Sequence, residues 1–153
     1  MPYQVLLFFA FFIAIAPLQS QDRPTAKQII EQIIQETDCD QLVDYLATDL
    51  SAGTNDLIKE GSRDTRVTGI ITSMFAPMSV LEKAVEMNYN LIITHEPLYF
   101  NHYDDTEPFQ GDRVYERKRQ FIEDNNLVIW RFHDYIHCLE PDGIIAGMIE
   151  KIG

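Results

Sequence analysis

Two short segments of this chain concentrate side chains that can bind metal ions. The first, "THEP", contains His95 and Glu96, and the second, "FHDYIHC", contains His133, Asp134 and His137. Imidazole nitrogens suit zinc, iron, nickel and copper, whereas added carboxylates shift the preference toward manganese, magnesium or iron. Together the two segments favour a site for a divalent metal ion.

Each segment also has a simpler interpretation, in which polar side chains at the end of a strand face solvent. For an isolated pair such as His95 and Glu96 that interpretation is the commoner one. Three metal-binding side chains between His133 and His137 are harder to explain as a solvated turn. Three of the four histidines of the chain lie in these two segments, and this concentration favours the metal site.

The backbone around His95 decides whether both residues of the first segment can address one site. Neighbouring side chains of a strand point to opposite faces of the sheet, so His95 and Glu96 would normally diverge. Pro97 ends ladder pairing and restricts the residue before it. We therefore expect the chain to leave strand geometry at this point.

The elements that position these segments alternate between strands and helices. From Val67 onward, "VTGIITS" predicts a strand, "PMSVLEKAVEMN" predicts a helix and "NLIIT" predicts a second strand. The helix "RVYERKRQFIEDNN" and the strand "LVIWRF" repeat this pattern. A last helix begins in "PDGIIAGMIEKIG". Connections of this length imply parallel strands. The sequence thus predicts an α/β fold with a mostly parallel sheet and helices on both faces. Ligands bind beyond the carboxyl ends of such strands, where both segments lie.

The residues before Val67 give weaker signals. Thr25 and Gln28 match the capping-box pattern of a helix start, and isoleucines follow at helical spacing. The polar region 38–66 is predicted to be a mixture of short helix and loop, and no chemistry is identified in it.

Composition limits the class of protein. The 153 residues suit one domain, and the 46% share of hydrophobic residues is that of a chain with a globular core. The formal charge of −12 repels phosphate backbones, so we expect no nucleic-acid partner. The chain also lacks the GxSxG, Walker and GxGxxG motifs of serine esterases, P-loop proteins and dinucleotide-binding proteins.

The N-terminal segment is typical of an export signal. Residues 1–20 carry no charged side chain, and their apolar run is shorter than the roughly 20 residues of a membrane-spanning helix. We therefore predict a signal peptide at 1–20, a domain at 21–153, a secreted or periplasmic protein, and no stable membrane association after cleavage. A signal-anchored form is the alternative. Cys39 and Cys138 leave their pairing open, and we favour two ordinary thiols.

Two stretches resemble a known family. "VTGIITSMFAPMSVLEKAVEMNYNLIITHEPLYF" is similar to the strand–helix–strand signature of the Nif-three-like proteins, also called GTP cyclohydrolase 1 type 2 homologs, which typically read "LIITHHP" here. "VIWRFHDYIH" and the following "PDGI" are similar to the next motif of that family, a strand ending in a histidine, three residues and an aspartate. The resemblance covers Val67 to Gly153.

The resemblance implies an α/β protein that binds two neighbouring divalent ions (zinc, iron or manganese) and forms a homo-oligomer. It also suggests a hydrolase of unknown substrate. It makes His95 and His133 ligands, with Glu96 in place of the usual second histidine and His137 in place of the usual aspartate. Asp134 is the alternative ligand. The family completes its site with a C-terminal histidine and glutamate, so we expect this fold to be incomplete at its C-terminus.

Overall fold

The computed structural model describes residues 23–37 and 54–153. Within these ranges the helices are α1 (Ala26–Gln35), α2 (Met78–Glu86), α3 (Arg113–Asp124) and α4 (Gly143–Ile152). The strands are β1 (Ile58–Glu60), β2 (Ile70–Ser73), β3 (Leu91–Thr94) and β4 (Val128–Arg131). Two 3-10 turns, Glu107–Phe109 and Ile136–Cys138, complete the regular structure of these ranges.

The four strands form one sheet in the order β1-β4-β3-β2. β2, β3 and β4 are parallel, and β1 pairs antiparallel with β4. The predicted α/β fold with a mostly parallel sheet is confirmed. The prediction of only short helix and loop in 38–66 is wrong at Ile58–Glu60. This strand is an edge strand of three residues with two charges, so it has no apolar periodicity, and its pairing comes from β4.

Helices cover both faces of the sheet, as the buried strands require. On one face, Ala26, Ile30 and Ile34 of α1 pack against a core that includes Ile93 and Trp130. On the other face, α2 and α3 cover a second core that includes Ile92 and Ile129. Every residue of β3 and β4 is buried. Burial on both faces explains why these strands read as continuous apolar runs.

Side-chain caps stabilise the starts of α1 and α4. The Thr25 side chain accepts a hydrogen bond from the Gln28 amide, and the Gln28 side chain accepts one from the Thr25 amide, so the predicted capping box is present. Asp142 caps α4 by accepting hydrogen bonds from the amides of Ile144 and Ile145. α4 is half-buried or exposed along its length and contacts the turn Ile136–Cys138.

The predicted signal peptide at 1–20 and residue Cys39 lie outside the described ranges. Cys138 is disulfide-bonded, so the preference for an ordinary thiol is wrong at this position. Within residues 23–37 and 54–153, no helix is long and apolar enough to cross a membrane.

Candidate metal centre

Parallel pairing of β3 with β4 brings the two histidine segments together. Thr94 at the end of β3 pairs with Arg131 at the end of β4, so the residues that follow leave the same edge of the sheet. His95 comes directly after β3, and His133 comes two residues after β4. Their rings stack with centroids 4.5 Å apart and an interplanar angle of 21°.

A third imidazole joins them from the turn Ile136–Cys138. The ring centroid of His137 lies 5.2 Å from that of His95 and 5.1 Å from that of His133. One ring nitrogen from each of the three histidines lies within 4.8 Å of the others. We call His95, His133 and His137 the histidine triad. The triad could hold a metal ion, and three protein ligands with an open position are typical of catalytic zinc sites.

Hydrogen bonds orient each ring of the triad through Nδ1. The partner is the Phe132 carbonyl for His95 at 3.3 Å, an Asp134 carboxylate oxygen for His133 at 2.8 Å, and an Asp142 carboxylate oxygen for His137 at 2.6 Å. Carbonyl and carboxylate oxygens are acceptors, so Nδ1 carries the proton in each ring. A neutral imidazole with its proton on Nδ1 keeps on Nε2 the lone pair that a metal requires.

Electrostatics favour neutral imidazole at His95. Burial lowers the pKa of His95, and the neighbouring His133 lowers it further. Since a proton and a metal ion compete for the same lone pair, a lowered pKa keeps His95 available as a ligand at neutral pH.

The residue that holds the second segment in place is Asp56. Its side chain is fully buried and accepts hydrogen bonds from the backbone amides of His133, Asp134 and Tyr135, at 2.7, 2.8 and 2.8 Å. Burial raises the pKa of Asp56, and the three amide hydrogen bonds oppose that rise. Asp56 thus fixes the backbone from which His133 projects.

Asp134 lies beside the triad and orients one of its rings. One carboxylate oxygen bonds His133, and the other accepts hydrogen bonds from the Thr54 hydroxyl at 2.9 Å and the Asn55 amide at 2.8 Å. Burial alone would raise the pKa of Asp134, but the hydrogen bonds from Asn55, His133 and Thr54 outweigh burial, and the pKa lies below its usual value. Asp134 is therefore an ionised acceptor that is already engaged.

Glu96 is not part of the triad. It lines a separate cavity of about 740 Å³ together with Phe100, His102 and Lys118. The structure thus brings together His95, His133 and His137 from the predicted set, holds Asp134 against His133, and places Glu96 outside the group of three. β3 ends at Thr94, so the chain leaves strand geometry at His95 as expected, but this departure does not bring Glu96 into the triad.

Arg131 connects the end of β4 to the loop that follows β3. Its side chain is fully buried, and its guanidinium donates hydrogen bonds to the carbonyl oxygens of His95, at 3.1 Å, and His102. Neither Arg131 nor Asp56 was predicted from the sequence to contribute to the site. A charged residue at the end of the apolar run "LVIWRF" was the available signal for Arg131. No comparable signal marked Asp56.

The family model that matches this sequence is that of the Duf34/NIF3 (NGG1p interacting factor 3) proteins, and it covers residues 25–136. The chain belongs to the Duf34/NIF3 family. The matched range includes His95 and His133 and ends one residue before His137. The resemblance noted in the sequence is confirmed by this match.

Relatives named GTP cyclohydrolase 1 type 2 homolog include proteins of Clostridium acetobutylicum and Staphylococcus aureus. The Clostridium acetobutylicum protein is 29% identical over 93 residues, which are 61% of this chain and 33% of the relative. The Staphylococcus aureus (strain COL) protein is 42% identical over 40 residues, which are 26% of this chain and 11% of the relative. The chain thus spans about a third of the length of the Clostridium relative.

Solved structures support the fold of this family. The crystal structure of Staphylococcus aureus protein SA1388 matches with a TM-score of 0.54 at 17% identity, over 75% of this chain and 30% of that one. A Bacillus cereus protein related to NIF3 matches with a TM-score of 0.52 at 17% identity, over 74% of this chain and 28% of that one. Likeness at this level of identity concerns the arrangement of helices and strands.

Proposed function

We propose that this chain binds one divalent metal ion through Nε2 of His95, His133 and His137, and that the site belongs to a metal-dependent hydrolase. The observation that carries the proposal is the proximity of the three rings: one nitrogen from each lies within 4.8 Å of the others, and every Nδ1 bonds an oxygen acceptor. Three imidazoles suit zinc, with iron as the next candidate.

A bound zinc ion would supply Lewis-acid chemistry, polarising a substrate oxygen and lowering the pKa of a water molecule to about 7. The protein residues supply the geometry. Asp134 and Asp142 hold the rings of His133 and His137 against rotation, and the Phe132 carbonyl does the same for His95. Asp56 and Arg131 fix the backbones that carry these histidines.

Glu96 enters this proposal as a residue outside the mononuclear site. The two-ion arrangement implied by the family resemblance would require Glu96 to act as a ligand. Glu96 lines the cavity with His102 and Lys118 and its charge acts on His95, but it is not part of the group of three ring nitrogens. We therefore propose a single ion at the triad, with Glu96 outside its set of ligands.

Metal content tests the ligand set. Wild type and the single variants His95→Ala, His133→Ala and His137→Ala would be loaded with zinc, dialysed and measured by elemental analysis. We expect about one zinc per chain in wild type and loss of most of it in each variant. His102→Ala is the matched control, because His102 lies near His133 but outside the triad. Equal zinc in wild type and all three triad variants would contradict the proposal.

A second candidate function is that of a non-catalytic metal-binding protein. The exposed position of His137 suits metal binding alone as well as it suits hydrolysis. Turnover separates the two. The zinc-loaded protein would be incubated with generic phosphoesters, nucleotides and cyclic amides. Hydrolysis that disappears in His133→Ala supports the enzyme, whereas stoichiometric zinc without any turnover supports the binding protein.

We also propose that the protein is exported, on the basis of the uncharged apolar segment at 1–20. Mass spectrometry of material recovered after secretion would give the mature N-terminus, which we expect between Ala16 and Gln21. An intact Met1 in a membrane fraction would indicate the signal-anchored form.

A further inference from the structure

A second cavity, of about 480 Å³, lies beside the histidine triad on the face of the sheet that α1 covers. Apolar side chains from six parts of the chain form most of its wall: Ile33 of α1, Met74 after β2, Ile93 of β3, Phe132 after β4, Ile136 of the 3-10 turn and Ile144 of α4. A cavity of this size lies within the range of small-molecule sites, about 300–1,000 Å³.

The cavity shares one wall with the candidate metal centre. His95 lines the cavity and also belongs to the triad. Thr72 and Ser73 are the other polar residues of the wall, and they lie at the end of β2. An occupant of the cavity therefore meets apolar side chains over most of its surface and reaches the triad at His95.

We propose that this cavity binds the apolar chain of a ligand whose carboxylate head coordinates the metal ion. The inference rests on the proposed metal site, because the head group requires the ion. A divalent ion held by three neutral imidazoles carries a net positive charge, so the head is anionic. The chain is apolar because walls of isoleucine and methionine leave a polar group without hydrogen bonds, which is unfavourable.

A series of straight-chain carboxylates tests the proposal on the full chain. Acetate, butanoate, hexanoate and octanoate would be titrated into zinc-loaded protein by calorimetry. We expect the affinity to rise about fourfold for each methylene that enters the cavity, since burying a CH₂ group favours binding. Zinc content would be measured in the same samples.

Variants that fill the cavity locate the binding. Thr72→Trp places a large side chain in the cavity from an exposed position of β2. Ile144→Trp fills it from α4 and provides a second test if the first variant fails to fold. Ile70→Trp is the matched control, because Ile70 lies two residues before Thr72 on the same face of β2, is 40% exposed, and lies outside the cavity wall.

The expected result is a chain-length dependence that persists in Ile70→Trp and disappears in folded Thr72→Trp or Ile144→Trp. An affinity for zinc-loaded wild type that does not change with chain length would overturn this inference and leave the metal site intact. The same holds if octanoate binds the filled variants as tightly as it binds wild type. Failure of wild type to hold zinc would instead refute the proposed function, and the assignment of the head group would fail with it.

Discussion

Asp56 and His133 are 77 residues apart in the sequence, yet the carboxylate of Asp56 accepts a hydrogen bond from the His133 amide at 2.7 Å. The same carboxylate accepts hydrogen bonds from the backbone amides of Asp134 and Tyr135. One buried side chain before β1 therefore shapes the loop after β4. Through that loop it sets where His133 and Asp134 stand relative to His95.

The first prediction concerns this buried carboxylate. Asp56→Asn keeps the size of the side chain but turns one acceptor into a donor that faces a backbone N–H group. We expect the free energy of unfolding to fall by about 1–3 kcal/mol, the usual cost of an unsatisfied buried polar group. Urea denaturation of the metal-free protein would measure it. Asp64→Asn makes the same charge change at an exposed position and should leave the unfolding midpoint unchanged.

The second prediction concerns the pH dependence of stability. Burial, and then the neighbouring His133, lowers the pKa of His95 in the folded protein. The unfolded chain, with its histidine pKa near 6.5, therefore binds more protons at mildly acidic pH. The contribution of His95 to stability is present above pH ~6.5 and is lost as the pH falls through the lowered pKa of the folded state.

Denaturation of metal-free protein at a series of pH values between neutrality and mild acid would measure this loss. His95→Gln removes the titrating group and should flatten the decline relative to wild type. A decline in His95→Gln as steep as in wild type would assign the effect to other groups.

The third prediction concerns the orientation of His133. Asp134→Asn removes the negative charge that strengthens the hydrogen bond from Nδ1 of His133. It also turns one of the two oxygens into an NH₂ group, which cannot accept a hydrogen bond from Thr54 or Asn55. We expect zinc affinity to fall about 10- to 100-fold, as for other residues that orient a metal-binding histidine. Competition with a chelator of known affinity would measure it. Asp105→Asn changes an exposed aspartate between β3 and α3, and an equal loss of affinity in that variant would contradict the orienting role.

The sequence predicted the parts of this fold that have strong local patterns. The strands at Leu91–Thr94 and Val128–Arg131 were readable because burial on both faces requires continuous apolar runs. Parallel pairing of those strands also predicted that His95 and His133 would meet. β1 was missed because a three-residue charged edge strand has no periodicity, and Asp56 was missed because its partners lie 77 to 79 residues away.

The last prediction concerns the exchange of residue types at Glu96 and His137. If both were ligands of a shared site, then Glu96→His and His137→Asp together would preserve metal binding better than either change alone, with a coupling of about 0.5–3 kcal/mol. The structure includes His137 in the triad and places Glu96 against a different cavity. We therefore expect His137→Asp to weaken zinc binding strongly and Glu96→His to change it little.

The zinc affinities of wild type, the two single variants and the double variant would be measured at one pH, because protons compete for the same ligands. For residues that do not share a site, the two effects should add within about 0.5 kcal/mol. A larger coupling, with the double variant restored toward wild type, would contradict the single-ion site at the triad. It would show instead that Glu96 and His137 coordinate the same metal cluster, as the family resemblance implies for a two-ion centre.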